Sequence, residues 1–214
     1  MADFRRALCA GAVVWSCMGA APLAAATRGP EPAAAAISGD ALQMARWAID
    51  SRDHRGLPFA VVDKRSARAY VFTAAGKLAG ASPVLLGAGL GDHGKRGLGK
   101  LPVASIPRAE RKTPAGRFAS FPGENLDGED VVWFDYDEGL AIHRLRPDAA
   151  RAARLERLGS SSAAAHRVSA GCIVVPVAFY EGVIGPLLGR NGGVLYVLPE
   201  EQPVVDFIAA LGDS

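Results

Sequence analysis

Cys172 and His143 are the residues of this chain best suited to covalent chemistry. Cys172 sits in the run Ser169-Ala170-Gly171-Cys172-Ile173-Val174-Val175, and His143 closes Leu140-Ala141-Ile142. A cysteine nucleophile needs a base to generate thiolate, backbone N–H groups to receive an oxyanion, and access for substrate. Gly171 lets the backbone come close to a ligand because it has no side chain. Cys172 falls where a loop enters an apolar strand, with its own N–H and those of its neighbours available. His143, at the end of a preceding strand, could reach it as base. Either segment alone could be core packing, and a free cysteine packs well as a small hydrophobe.

The cysteine count favours chemistry. The chain has three, Cys9, Cys17 and Cys172. The first two fall in a stretch that reads as an export leader. Arg5 and Arg6 form a positive n-region, Leu8 to Leu23 is apolar or small, and Ala24-Ala25-Ala26 is the small-residue pattern a signal peptidase reads. The apolar run is short for a membrane span. A signal peptide over 1–26 therefore predicts an exported or periplasmic protein with no membrane insertion after cleavage. Cys172 is then the one thiol of the mature chain, and a single thiol cannot close an internal disulfide.

Other chemistries lack anchors. Gly94 to Lys100 has phosphate-loop spacing, but Leu101 stands where Ser or Thr should hold magnesium, and Pro102 follows. Gly87-Ala88-Gly89-Leu90-Gly91 predicts no following helix, so the dinucleotide reading fails too. Both patterns fit a surface loop, and a lid is one use for it. His54, His93, His143 and His166 show no metal-ligand pairing, and no G-x-S-x-G is present. No cofactor is implied. Formal net charge is +2 with scattered basic residues, which is not a nucleic-acid footprint.

The elements that must position the pair are mostly strands. Residues 27–38 read as a flexible lead-in and 39–214 as one domain. Helical spacing covers 39–54. Strands are expected at Phe59–Asp63, Ala69–Phe72, Pro83–Gly87, Gly116–Phe121, Val131–Tyr136, Leu140–His143, Cys172–Val175 and Val194–Leu198. Helices are expected at Pro147–Leu158, Pro176–Leu188 and Pro203–Leu211. The fold class is mainly β, with a few packed helices.

The sequence resembles the L,D-transpeptidase catalytic domain, whose signature is a histidine followed later by Ser/Thr-His-Gly-Cys, an apolar residue and Arg or Asn. The matching positions are His143, Ser169, Gly171, Cys172 and Ile173. Val61-Val62-Asp63-Lys64, the strand ending at Gly87, and Thr113-Pro114-Ala115-Gly116-Arg117-Phe118 extend the resemblance over roughly residues 57 to 198. Three departures stand out. Ala170 replaces the second histidine, Val174 replaces Arg or Asn, and Cys172 follows His143 by 29 positions. That longer gap leaves room for His166 as a rival base.

The resemblance implies a β-sandwich-like catalytic fold and acyl transfer on peptidoglycan stem peptides. His143 and Cys172 would generate the thiolate, and the carbonyl after the third residue of a tetrapeptide stem would become a thioester as D-alanine leaves. An amine or water would resolve it. Amides around Ala170, Gly171 and Cys172 would hold the oxyanion, and Ser169 would orient the imidazole or the loop. Arg144 and Arg117 are candidates for substrate carboxylates, with structural salt bridges as the competing role. Two alternatives remain: a carboxypeptidase or amidase of the same fold, and an inert cell-wall binding module. A catalytic Cys172 is expected to alkylate quickly near neutral pH at a rate that depends on His143, whereas an inert one should behave as a buried thiol.

Overall fold

The computed structural model describes residues 37–213. The expected leader, 1–26, and most of the expected lead-in lie outside them. In chain order come α1 (Gly39–Asp50), β1 (Phe59–Asp63), β2 (Arg68–Phe72), β3 (Leu78–Pro83), β4 (Leu86–Gly87), β5 (Gly116–Glu124), β6 (Asp130–Asp135) and β7 (Leu140–Arg144). Then follow α2 (Arg151–Leu158), β8 (Arg167–Ser169), β9 (Ile173–Val175), α3 (Val177–Phe179), α4 (Gly185–Leu187), β10 (Gly193–Val197) and α5 (Val204–Gly212). A π turn at Tyr180–Ile184 joins α3 to α4.

The fold is mainly β. Eight strands form one sheet in the order β3-β2-β1-β10-β5-β6-β7-β9, and β4 and β8 make a small parallel pair. β5 is the corner. Its first half, Gly116 to Ser120, pairs with β10, and its second half, Phe121 to Glu124, pairs with β6. The two halves of the sheet share one core: Ala60, Val62, Val71, Leu195 and Val197 from one side meet Val132, Phe134, Ile142, Ile173 and Val175 from the other. That is sandwich-like packing, closed at its side by Tyr180, Ile184 and Leu188.

A second core lies on the opposite face of β1 and β10. Phe59, Val61, Val194 and Tyr196 pack there against Met44 and Ala45 of α1 and Phe207 of α5. β1 and β10 are thus buried on both faces, which explains their unbroken apolar runs. Ser38 caps α1 by accepting the Ala41 N–H at 3.2 Å.

Three expectations need correcting. The run Pro83 to Gly87 is not one strand. β3 ends at Pro83, Leu85 bridges Val174, and only Leu86 and Gly87 continue as β4. Leu78 to Ser82, where no strand is expected, forms most of β3, because a partner in β2 compensates for its small residues. The helix expected over 147–158 begins at Arg151.

Candidate active site

β7 and β9 run side by side and parallel, with Ile142 opposite Ile173 and His143 opposite Val174. Ile142 and Ile173 face the inner core, so by alternation His143 and Val174 face outward. Cys172 immediately precedes Ile173 and shares the outward face. Extending the register by one residue sets Cys172 opposite Ala141, whose N–H faces the sulfur. His143 is then the diagonal neighbour of Cys172 across adjacent strands, the separation over which ring side chains reach.

Cys172 is half-buried and lies in the wall of a cavity of about 760 Å³, together with Ala170, Gly139, Leu140 and Arg146. Its thiol donates to the Gly139 carbonyl at 3.6 Å. Burial pushes the thiol up from its ordinary value, against the Ala141 N–H, the Arg146 charge and its own N–H. The His143 Nδ1 lies 2.9 Å from the Arg144 carbonyl. A carbonyl only accepts, so the proton sits on Nδ1 and Nε2 keeps its lone pair. Burial holds the imidazole below its usual value despite that hydrogen bond, and Arg146 adds to the depression. Cysteine and histidine are therefore a neutral pair at rest.

The loop before the cysteine is tied from within. Ser169 Oγ accepts the Gly171 N–H at 3.1 Å and donates to the Cys172 carbonyl at 2.6 Å. Ser169 thus holds the loop, not the imidazole, and it takes the Gly171 N–H out of the expected oxyanion set. Thr113, fully buried, donates to the Gly171 carbonyl at 2.8 Å and accepts the Gly87 N–H at 2.9 Å. The Thr-Pro-Ala-Gly element therefore pins the loop that carries Cys172.

Gly171 has φ +135°, and a Cβ there would lie 2.7 Å from the Lys112 carbonyl oxygen and 2.8 Å from Leu140. Gly171→Ala is expected to strain the backbone by about 1–3 kcal/mol and to move the thiol. A displacement near 1 Å lowers kcat/KM by about 100-fold. Kinetics alongside a melting curve check this. Unchanged kinetics would mean that the loop tolerates the methyl and that the glycine is not required for geometry.

The other expected residues divide. Arg117 points away from the cavity, its Nε 2.6 Å from Asp53 Oδ2, with Tyr196 on the same carboxylate. Arg144 pairs with Asp130 and lies 4.7 Å over the Tyr180 ring. Arg117, Arg144 and His143 are all absent from the residues that line the cavity, and both arginines are engaged in ion pairs. His166 is buried with Nδ1 2.9 Å from the Val84 carbonyl and Nε2 3.1 Å from the Ser160 carbonyl. Both nitrogens face backbone carbonyls, so neither is directed at Cys172.

Arg146 is the cation missing from the sequence reading. It lines the cavity and lies 3.2 Å from Asp127 and 3.3 Å from Glu129. β7 ends at Arg144, and only the chain's exit from the strand brings Arg146 round. The glycine-rich loop runs through three 3-10 turns, Leu98–Lys100, Val103–Ser105 and Arg108–Glu110. Glu138 accepts the N–H groups of Gly97 and Gly99 at 2.7 and 3.3 Å, fastening this loop over the turn that carries Gly139.

No family model matches the chain, and no curated protein matches it. Several solved structures are similar in architecture. The catalytic domain of an L,D-transpeptidase from E. faecium is 19% identical, with 65% of this chain and 95% of that one covered and a TM-score of 0.35. An L,D-transpeptidase from Mycobacterium smegmatis is 15% identical, covering 65% and 58%, with a TM-score of 0.40. The helical cell shape determining protein Pgp2 from Campylobacter jejuni is 16% identical, covering 72% and 52%, with a TM-score of 0.43. The chain thus matches a little over half the length of the last two.

Proposed function

We propose that this chain is a divergent L,D-transpeptidase-type acyltransferase that uses Cys172 to act on peptidoglycan stem peptides. The observation that carries the reading is a thiol in a cavity wall on one strand and, on the strand paired with it, a histidine whose Nδ1 is held by a backbone carbonyl. The motif resemblance supplies the substrate class.

In this reading the thiol gives its proton to His143 Nε2 as sulfur attacks the carbonyl after the third stem residue. The oxyanion meets the N–H groups nearest the sulfur, those of Cys172 and Ala141. Collapse breaks the peptide bond, and the D-alanine amine leaves with the proton from His143. The thioester then passes to an amine, giving a cross-link, or to water, giving a tripeptide. Arg146 stabilises negative charge on sulfur. The reading also places the mature protein outside the cytoplasm, on the strength of the leader. Among the described residues no helix is long and apolar enough to cross a membrane.

The test is intact mass after incubation with disaccharide-tetrapeptide, with product analysis in the same samples. An acyl adduct and released D-alanine support the reading, and dimers or tripeptides identify the acceptor. No adduct, no release and a thiol unreactive even at about pH 9.5, above the ordinary cysteine value, would sink it in favour of a binding module.

The neutral pair revises the expected reactivity. Iodoacetamide should modify Cys172 slowly at neutral pH and faster above about pH 8.5. Turnover needs neutral His143, so kcat/KM should fall at acid pH with an inflection below about 6.5. Rapid alkylation at pH 6 would instead reveal a preformed thiolate–imidazolium pair.

A further inference from the structure

The lining of the cavity mixes cations, among them Lys95, Arg96 and Lys112, with carboxylates and with the rings of Trp133 and Tyr136. The two rings meet edge to face, with centroids 5.2 Å apart at 76°. Tyr136 is 66% exposed, and Trp133 is only partly buried. Gly123 makes room for the indole, since a Cβ there would lie 2.6 Å from Trp133 Cδ1 and Nε1. An exposed aromatic pair in a cavity wall suits a ligand with a flat apolar face and a polar rim.

The placement of Trp133 suggests which ligand. Trp133 lies opposite Ala141 across β6 and β7, and Cys172 flanks Ala141 on its other side. Two strand spacings separate indole from thiol, or about 10 Å. Three extended residues span about 10 Å as well. With the third stem residue at Cys172, the start of the stem, where the peptide joins its sugar, arrives at Trp133.

We propose that Trp133 and Tyr136 form a stacking platform for the amino sugar that bears the stem, so that the preferred donor is sugar-linked rather than free peptide. This rests on the stem-peptide reading above. Sugar C–H faces would cover the rings while hydroxyl and acetamido groups meet the rim. The cations of the lining are left for the carboxylates of the peptide. An ammonium is the competing occupant of an aromatic and acidic wall. The carboxylates there are largely engaged: Asp127 with Arg146, Glu138 with the loop amides, and Asp135 with the Glu138 N–H at 3.2 Å. A neutral ligand fits that wall better than a cation.

The experiment compares kcat/KM for disaccharide-tetrapeptide and free tetrapeptide in wild type, Tyr136→Ala, Tyr136→Phe and Trp133→Phe. The wild type should prefer the sugar-linked donor by about 10-fold, equivalent to about 1.4 kcal/mol. Tyr136→Ala should lose most of that preference, and Tyr136→Phe should keep it. Equal turnover of both donors by the wild type overturns the proposal while leaving the acyltransferase reading intact. Turnover of neither donor defeats that reading instead, and a binding measurement then decides the platform. In Cys172→Ala protein, N-acetylglucosamine oligomers should change tryptophan fluorescence saturably, with the change lost in Trp133→Phe. No change with the oligomers, or a response to lysine amide instead, overturns the sugar platform.

Discussion

Cys172→Ala should lower turnover of disaccharide-tetrapeptide by at least about 10⁴-fold, the scale on which removing a covalent nucleophile acts. The fold should barely notice. The side chain is half-buried, its hydrogen bond to the Gly139 carbonyl is a long thiol contact, and Ser169 ties the loop without it. The melting temperature should therefore move by only a few degrees. That combination separates a nucleophile from a packing cysteine, for which stability would fall and turnover would follow it. Residual activity within about 10-fold of wild type would end the covalent reading, since binding and oxyanion contacts alone are too weak to supply it.

The two short apolar runs that carry His143 and Cys172 were visible in the sequence, and they are adjacent parallel strands. The large elements were visible for the same reason: alternation and helical spacing survive in a single chain. The β5 corner was not. A strand shared by two sheet halves has the same local pattern as any other, and only its partners reveal the bend. Arginine roles were also illegible. Arg117 finds Asp53 at a separation of 64 residues, and nothing local distinguishes that pairing from a substrate contact. Ser169 could have turned to a ring or to its own loop, and the choice depends on the φ of Gly171. His166 looked available because its acceptors are backbone carbonyls, which leave no trace in residue identity.

The largest stability effect should come from Lys64, which follows β1 and is fully buried. Its ammonium donates to Asp92 at 2.8 Å, to the Gly91 carbonyl at 2.8 Å and to the Thr113 carbonyl at 3.2 Å. Asp92 in turn accepts the N–H groups of Glu200 and Glu201. Lys64→Met strands a buried carboxylate, which destabilises by about 3–5 kcal/mol. For a domain of this size that is about 10 °C in melting temperature. The pH dependence identifies the cause. Burial alone would raise the Asp92 carboxyl, but Lys64 and the two backbone N–H groups outweigh it and hold it below the ordinary value. Its contribution is therefore present above the unfolded value, about 3.9, and is lost as pH falls through the folded one. Without Lys64 the burial effect loses its main opponent, and protonation relieves the variant. The gap between wild type and Lys64→Met should accordingly be widest near neutrality and narrow below about pH 4. Asp92→Asn added to Lys64→Met should recover part of the loss by removing the stranded charge. Because Thr113 also pins Gly171, the single variant should lose turnover even below its melting temperature. A gap independent of pH would assign the effect to lost packing rather than to the stranded carboxylate.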